Sequence, residues 1–196
     1  MDYQLILGVF SRGDVKMSTQ SLSIRPAKED DMQAFLTLGK AIGDVPGVWG
    51  KNAQSDFLTY SEDMRKGGMM LLLAFVEHKK LVGFSTVKFF RRLDPSGFDP
   101  KSCTIGVAVH PSYRRRGIGT ELIKHSLEEA KRQGFETAYT STGIENVAMQ
   151  KLAEKCGFTK YAILEWNNRK FPRYKRRIQY NRLTSSCPSP MLSRFP

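Results

Sequence analysis

Between Val107 and Leu122 the chain reads Val-Ala-Val-His-Pro-Ser-Tyr-Arg-Arg-Arg-Gly-Ile-Gly-Thr-Glu-Leu. An apolar, β-branched segment runs into a turn that carries Gly117 and Gly119, and the turn opens an amphipathic helix. The first N–H groups of a helix have no partner within it, and the helix dipole adds positive potential at the same end. Glycines at 117 and 119 remove side chains that block a close approach, and Arg114, Arg115 and Arg116 add charge. Such a turn suits a ligand with paired phosphates. A solvated basic run also accounts for at least one of the three arginines. Other phosphate motifs fit less well. A P-loop needs Gly-Lys-Ser/Thr at the helix start, whereas Gly119 is followed by Thr120 and Glu121; the dinucleotide fingerprint needs a third glycine where Leu122 stands.

The elements around this turn alternate between strand and helix. Leu22 to Arg25 reads as a short strand, and Pro26-Ala27 leads into a helix with acids at its start (Glu29, Asp30, Asp31) and Met32, Phe35 and Leu36 at helical spacing. Gly43 to Gly50 breaks it, and Ser55 to Lys66 is a second helix. Met69 to Val76 and Leu81 to Phe90 read as a hairpin, and Cys103 to Val109 as a strand that stops at Pro111. Gly119 to Gln133 is the clearest helix, with Leu122, Ile123, Leu127 and Ala130 on one face and Gly134 as its C-terminal cap. Thr137 to Ser141 is strand-like, and Asn146 to Lys155 is a short helix ended by Gly157. Phe158 to Trp166 and Lys175 to Leu183 are expected as a final strand pair joined by a basic loop. This order implies an α+β domain with a mixed, mostly antiparallel central sheet and helices on both faces. Residues 1–19 read as an N-terminal extension, with Met17 an alternative start, 20–183 as the domain and 184–196 as a flexible tail.

Arg114-x-x-Gly117-x-Gly119, placed after a strand ending Val-His-Pro, resembles the signature of the GNAT N-acetyltransferases. A second stretch, Asn146-Val-Ala-Met-Gln-Lys-Leu-Ala-Glu-Lys-Cys-Gly-Phe158, is similar to the family's Asn-to-Gly-Phe helix, at the usual separation. The resemblance implies the acyl-CoA N-acyltransferase fold and acetyl transfer from acetyl-CoA, as co-substrate, to a primary amine of a small molecule or protein. It also implies site residues. Main-chain N–H groups from Arg115 through Gly117, Ile118 and Gly119 to Thr120 would hold the pyrophosphate, helped by Arg114, Arg115 and Arg116. Val107, Ala108 and Val109 would pair with the pantetheine arm like an added strand. A main-chain N–H near Val107 would polarise the thioester carbonyl. Asn146 would face the pantetheine or the leaving thiol, cap its own helix, or both.

Proton transfer is less legible. Many family members place a glutamate at about the position of Cys103, which Thr104 and Ile105 follow, and a tyrosine at the position of Ala153; a subset places a serine at that of Met149. The substitutes on offer are Tyr139, Tyr113, and water relayed by Glu145 or Asp94; positioning and oxyanion stabilisation alone also suffice to accelerate the reaction. Tyr139 reads equally as sheet packing and Asp94 as a turn residue. In this fold the acceptor site is lined by Ile42 to Lys51 and Asn167 to Arg173, which offer Asp44, Trp49, Arg169, Lys170 and Arg173. A cationic rim disfavours polyamines and suits an anionic or ribosome-associated acceptor.

The 196 residues carry a formal charge of +12, with 40% hydrophobic and 26% charged residues, as expected of one soluble domain that attracts anions. No apolar run approaches the roughly 20 residues of a membrane span, and the charged start does not read as a secretory signal. A cytoplasmic protein with no membrane partner is expected. Cys103, Cys156 and Cys187, and His78, His110 and His125, are scattered, so neither a disulfide framework nor a metal site is expected. A non-catalytic CoA-binding sensor or scaffold, an RNA- or ribosome-associated module, and a homodimer stay open at this stage.

Overall fold

The computed structural model describes residues 22–43, 53–77, 80–92 and 98–179. The expected extension 1–19, the tail 184–196, both outer limits of the 20–183 domain, and Asp44, Trp49 and Asp94 lie outside the described residues. The elements run β1 (Leu22–Pro26), α1 (Met32–Ile42), α2 (Ala53–Arg65), β2 (Met69–Val76), β3 (Lys80–Phe90), β4 (Ser102–Val109), α3 (Ile118–Arg132), β5 (Thr137–Ser141), α4 (Val147–Lys155), β6 (Thr159–Trp166) and β7 (Arg169–Arg177). The strands form one sheet in the order β1-β2-β3-β4-β5-β7-β6. All neighbours pair antiparallel except β4 and β5.

The helices cover both faces because the inner strands are apolar on both. In β2, Leu71, Leu73 and Phe75 pack with Phe35 and Leu38 of α1, while Leu72, Ala74 and Val76 pack with Ile118 and Leu122 of α3. A strand buried on two sides reads as a continuous apolar run, as Met69 to Val76 does. Ile123, Leu127 and Ala130 of α3 join Cys103, Ile105, Ala138 and Ala153 in a third cluster that seats α4. Thus α1 and α2 lie on one face, and α3 and α4 on the other.

The final strand corrects the sequence reading. The segment expected as a basic loop is the first part of β7, and the turn is only Asn167-Asn168, both at positive φ (48° and 56°). That is the backbone of a tight hairpin, and asparagine tolerates it best among non-glycine residues. Trp166 therefore pairs with Arg169. Pro172 and the run of cations conceal the strand in sequence. In the fold the Pro172 carbonyl accepts from Thr142 N–H at 3.3 Å, just past the end of β5, so the absent N–H removes no bond from the β5 ladder.

One ion pair fixes the entry into α1. Asp31 accepts from both Nη atoms of Arg25 at 2.7 Å and from Lys28 N–H at 2.7 Å. The Arg25 guanidinium, foremost, holds the Asp31 carboxyl below its usual range. A carboxyl depressed in this way stabilises the fold above its unfolded value of about 3.9 and loses that contribution as pH falls through the folded value. Asp31→Asn is therefore expected to cost about 1 kcal/mol at pH 7, a modest figure because Arg25 is partly exposed. Thermal melts should show the difference shrinking below about pH 3.9.

Candidate functional site

The site is built on a fork in the sheet. β4 and β5 pair in parallel only through Ser102↔Thr137, Cys103↔Ala138 and Thr104↔Tyr139. Beyond them β4 continues to Val109 along β3, while β5 continues along β7 with Thr140↔Tyr174 and Ser141↔Arg173. From Ile105 onward, the edge of β4 that faces β5 has no strand partner among the described residues. The cleft so opened is lined by Gly106 and Val107 of β4, Thr140 and Ser141 of β5, and Asn146 and Met149 at the start of α4. A strand edge left unpaired inside a fold can take an extended ligand by main-chain hydrogen bonding.

The turn after β4 leads from this cleft to α3. His110 caps it, its Nδ1 accepting from Ser112 N–H at 3.2 Å, and Arg114 Nε donates to the Val109 carbonyl at 3.2 Å. Arg115 (φ 64°) and Gly117 (φ 83°) are both left-handed. Alternation of this kind turns main-chain N–H groups toward one side, the geometry of an anion-binding nest. The first bond of α3 runs from Glu121 N–H to the Gly117 carbonyl, leaving the N–H groups of Ile118, Gly119 and Thr120 without an intrahelical acceptor. The two glycines do different work. A Cβ on Gly117 would meet nothing within 4 Å, so its role is conformational; one on Gly119 would lie 3.0 Å from Leu152 Cδ2, so its role includes letting α3 approach α4. The buried Ile118 and Leu122 hold the helix start against the sheet.

Asn146 is the N-cap of α4, its Oδ1 accepting from Met149 N–H at 3.1 Å, so a ligand contact would fall to its Nδ2. Of the proton-transfer candidates, Glu145 lines the cleft and is exposed. Its own main-chain N–H, then its ion pair with Arg169, hold its carboxyl below the usual range, which makes it a weaker base. Tyr139 donates to Asp99 Oδ2 at 2.9 Å, and burial, then that bond, push its hydroxyl up to about 12. Its proton is committed to Asp99. Tyr113 does not line the cleft; it packs by the turn before α3, its ring 5.0 Å from both Arg116 Cζ and Lys80 Nζ. Cys103 is fully buried, and burial pushes its thiol up to about 12, so no thiolate is available as a base there. Ala153 is 1% exposed.

Arg169 and Arg173, expected on a loop, stand on β7. Arg169 lines the cleft, and Arg173 lies over the rings of Phe98 (5.0 Å) and Tyr161 (5.6 Å). Arg173 pairs with Ser141, so it shares a sheet face with Ser141 and Tyr139, opposite α3 and α4. The cleft is also lined by three polar residues that the motifs did not single out, Thr140, Ser141 and Thr142. The one signal for them in sequence is the polar run Thr140-Ser141-Thr142 at the end of an otherwise buried strand. Among the described residues, no group of His, Cys, Asp and Glu is arranged to hold a metal ion, and no helix is long and apolar enough to cross a membrane.

Residues 40–158 match the family described as Acetyltransferase (GNAT) family. The uncharacterized N-acetyltransferase YvbK of Bacillus subtilis is 34% identical over 59 residues, 30% of this chain and 38% of that protein, so the match spans well under half of that relative. The [ribosomal protein bS18]-alanine N-acetyltransferase of Salmonella typhimurium is 24% identical over 123 residues, 61% of this chain and 78% of that one. The fold is similar to that of yncA from Salmonella typhimurium, solved with its cofactor acetyl-CoA: TM-score 0.67, 20% identity, 85% of this chain and 99% of that one.

Proposed function

Because the chain belongs to the GNAT acetyltransferase family, we propose that it moves an acetyl group from acetyl-CoA to a primary amine by direct attack on the thioester. The observation that carries this reading is the fork between β4 and β5, which opens beside the nest at the start of α3. The N–H groups from Arg115 to Thr120 hold the pyrophosphate, and Arg114, Arg115 and Arg116 add charge around it. The free edge of β4 at Val107 to Val109 holds the pantetheine arm. A main-chain N–H near Val107 takes the developing oxyanion. The amine approaches from the face that carries Tyr139, Ser141 and Arg173, forms the C–N bond, and expels the thiolate with the electron pair of the broken C–S bond. Its proton passes to water, with Glu145 at the cleft mouth as the nearby acid–base group.

The acceptor carries an anionic group near its amine, because Arg169 lines the cleft and Arg173 stands two strand repeats further along β7; an amine bearing a carboxylate or phosphate, or a protein docked on RNA, fits this chemistry. The test is release of free thiol from acetyl-CoA with a panel of amines: spermidine, amino acids, amino sugars, amino-phosphates and basic protein N-termini. Turnover is expected with the anion-bearing members, and poor turnover with spermidine. Fast spermidine acetylation with none of the others would overturn the acceptor assignment. A second reading, a CoA-binding sensor, is favoured by the buried Cys103 and Ala153. Tight CoA binding with no thiol release from any amine would establish it.

A further inference from the structure

The fold leaves one side-chain polar atom, among the described residues, buried without a hydrogen-bond partner: Thr140 Oγ1. Thr140 is 6% exposed and lines the cleft. A buried hydroxyl is nearly always satisfied, and leaving one unpaired is costly, so the missing partner is a clue to what the cleft holds. Thr140 is the first residue of β5 past the last β4–β5 pair, which puts it at the vertex of the fork. It shares the sheet face of Ala138, beneath α3 and α4, whereas Tyr139 and Ser141 face the acceptor side. Two cleft side chains that pack against the same cluster as Ala138, Val107 and Met149, are apolar, and the Asn146 oxygen is taken by Met149 N–H.

We propose that the Thr140 hydroxyl donates a hydrogen bond to the sulfur of the bound thioester and holds it as the thiolate departs. This rests on the acetyl-transfer reading above and names the group that receives the leaving sulfur. As the amine nitrogen bonds to the carbonyl carbon, the C–S electron pair moves onto sulfur, where the Thr140 O–H meets the growing charge. Thr140 keeps its proton, because an alkyl hydroxyl is a far weaker acid than a thiol; the thiolate leaves and takes a proton from solvent.

The test uses Thr140→Val, which keeps the shape and removes the hydroxyl, with CoA and desulfo-CoA as probes. The melting temperature of free Thr140→Val is expected to equal or exceed that of the parent, since no internal bond is lost. In the parent, preference for CoA over desulfo-CoA should grow about tenfold as pH rises through the ionisation of the CoA thiol. In Thr140→Val that growth should vanish, and kcat should fall roughly 10- to 100-fold. Thr140→Ser, which keeps the hydroxyl, should restore the pH-dependent preference. A marked loss of melting temperature in Thr140→Val, or a parent-like preference for CoA at high pH, overturns the assignment. Failure of the parent to bind CoA at all sinks the acetyl-transfer reading itself, a distinguishable result.

Discussion

Gly117→Ala is expected to weaken CoA binding roughly 10- to 100-fold, the loss of one or two charge-assisted hydrogen bonds, while Gly134→Ala leaves it unchanged. The comparison is informative because the two sites are conformationally matched. Gly117 has φ 83° and Gly134 has φ 84°, and at neither would a Cβ meet anything within 4 Å. They flank the two ends of α3. Each substitution should cost the fold about 1–2 kcal/mol, the penalty of a left-handed conformation for an L side chain. Only Gly117 sits at the N-terminus of α3, where the proposed pyrophosphate site lies. Thermal melts should give equal shifts for the two variants, and calorimetry with CoA should separate them. Parent-like affinity in Gly117→Ala would remove the nest from the cofactor site.

Ala153→Tyr should lower stability by about 3 kcal/mol, through overpacking, and should not raise turnover. Family resemblance points to Ala153 as the place where a tyrosine acid often stands, so restoring one is the natural repair. The structure argues against it. Ala153 packs at 1% exposure with Cys103, Ala138 and Ile123 in the cluster that joins α3, α4 and the sheet. A tyrosine there must displace close-packed neighbours before its hydroxyl reaches the cleft. A variant that melts like the parent and turns over faster would show that the position opens toward the ligand, and would shift the leaving-group role from Thr140 to this helix.

Much of the molecule follows from local chemistry that can be read along the chain. Met69 to Val76 is apolar at every position, and it is a strand buried on both faces. The Gly117-Ile-Gly119 turn followed by the stripe Leu122, Ile123, Leu127, Ala130 specifies its own helix start, and α3 runs Ile118–Arg132 against the expected 119–133. The mixed sheet was legible from the order of elements, and the family from the resemblance of the stretches around Gly117 and Asn146 to its signatures. The last strand was not. Its cations and Pro172 resemble a loop because strand propensity depends on what a strand packs against. Arg173 and Tyr174 take their places only once β5 and β6 flank them.

By itself, then, the sequence determined the Gly117-Ile118-Gly119 turn, the helix it opens and the alternation of elements, because those depend on backbone preferences and periodicities within a few residues. Tertiary structure alone decided that β4 and β5 part after Thr104↔Tyr139, that Cys103 and Ala153 turn into the core, and that the Thr140 hydroxyl is stranded at the vertex of the cleft. Those outcomes rest on pairings between segments far apart in the chain. A side chain's partner, or lack of one, exists only after the strands have met.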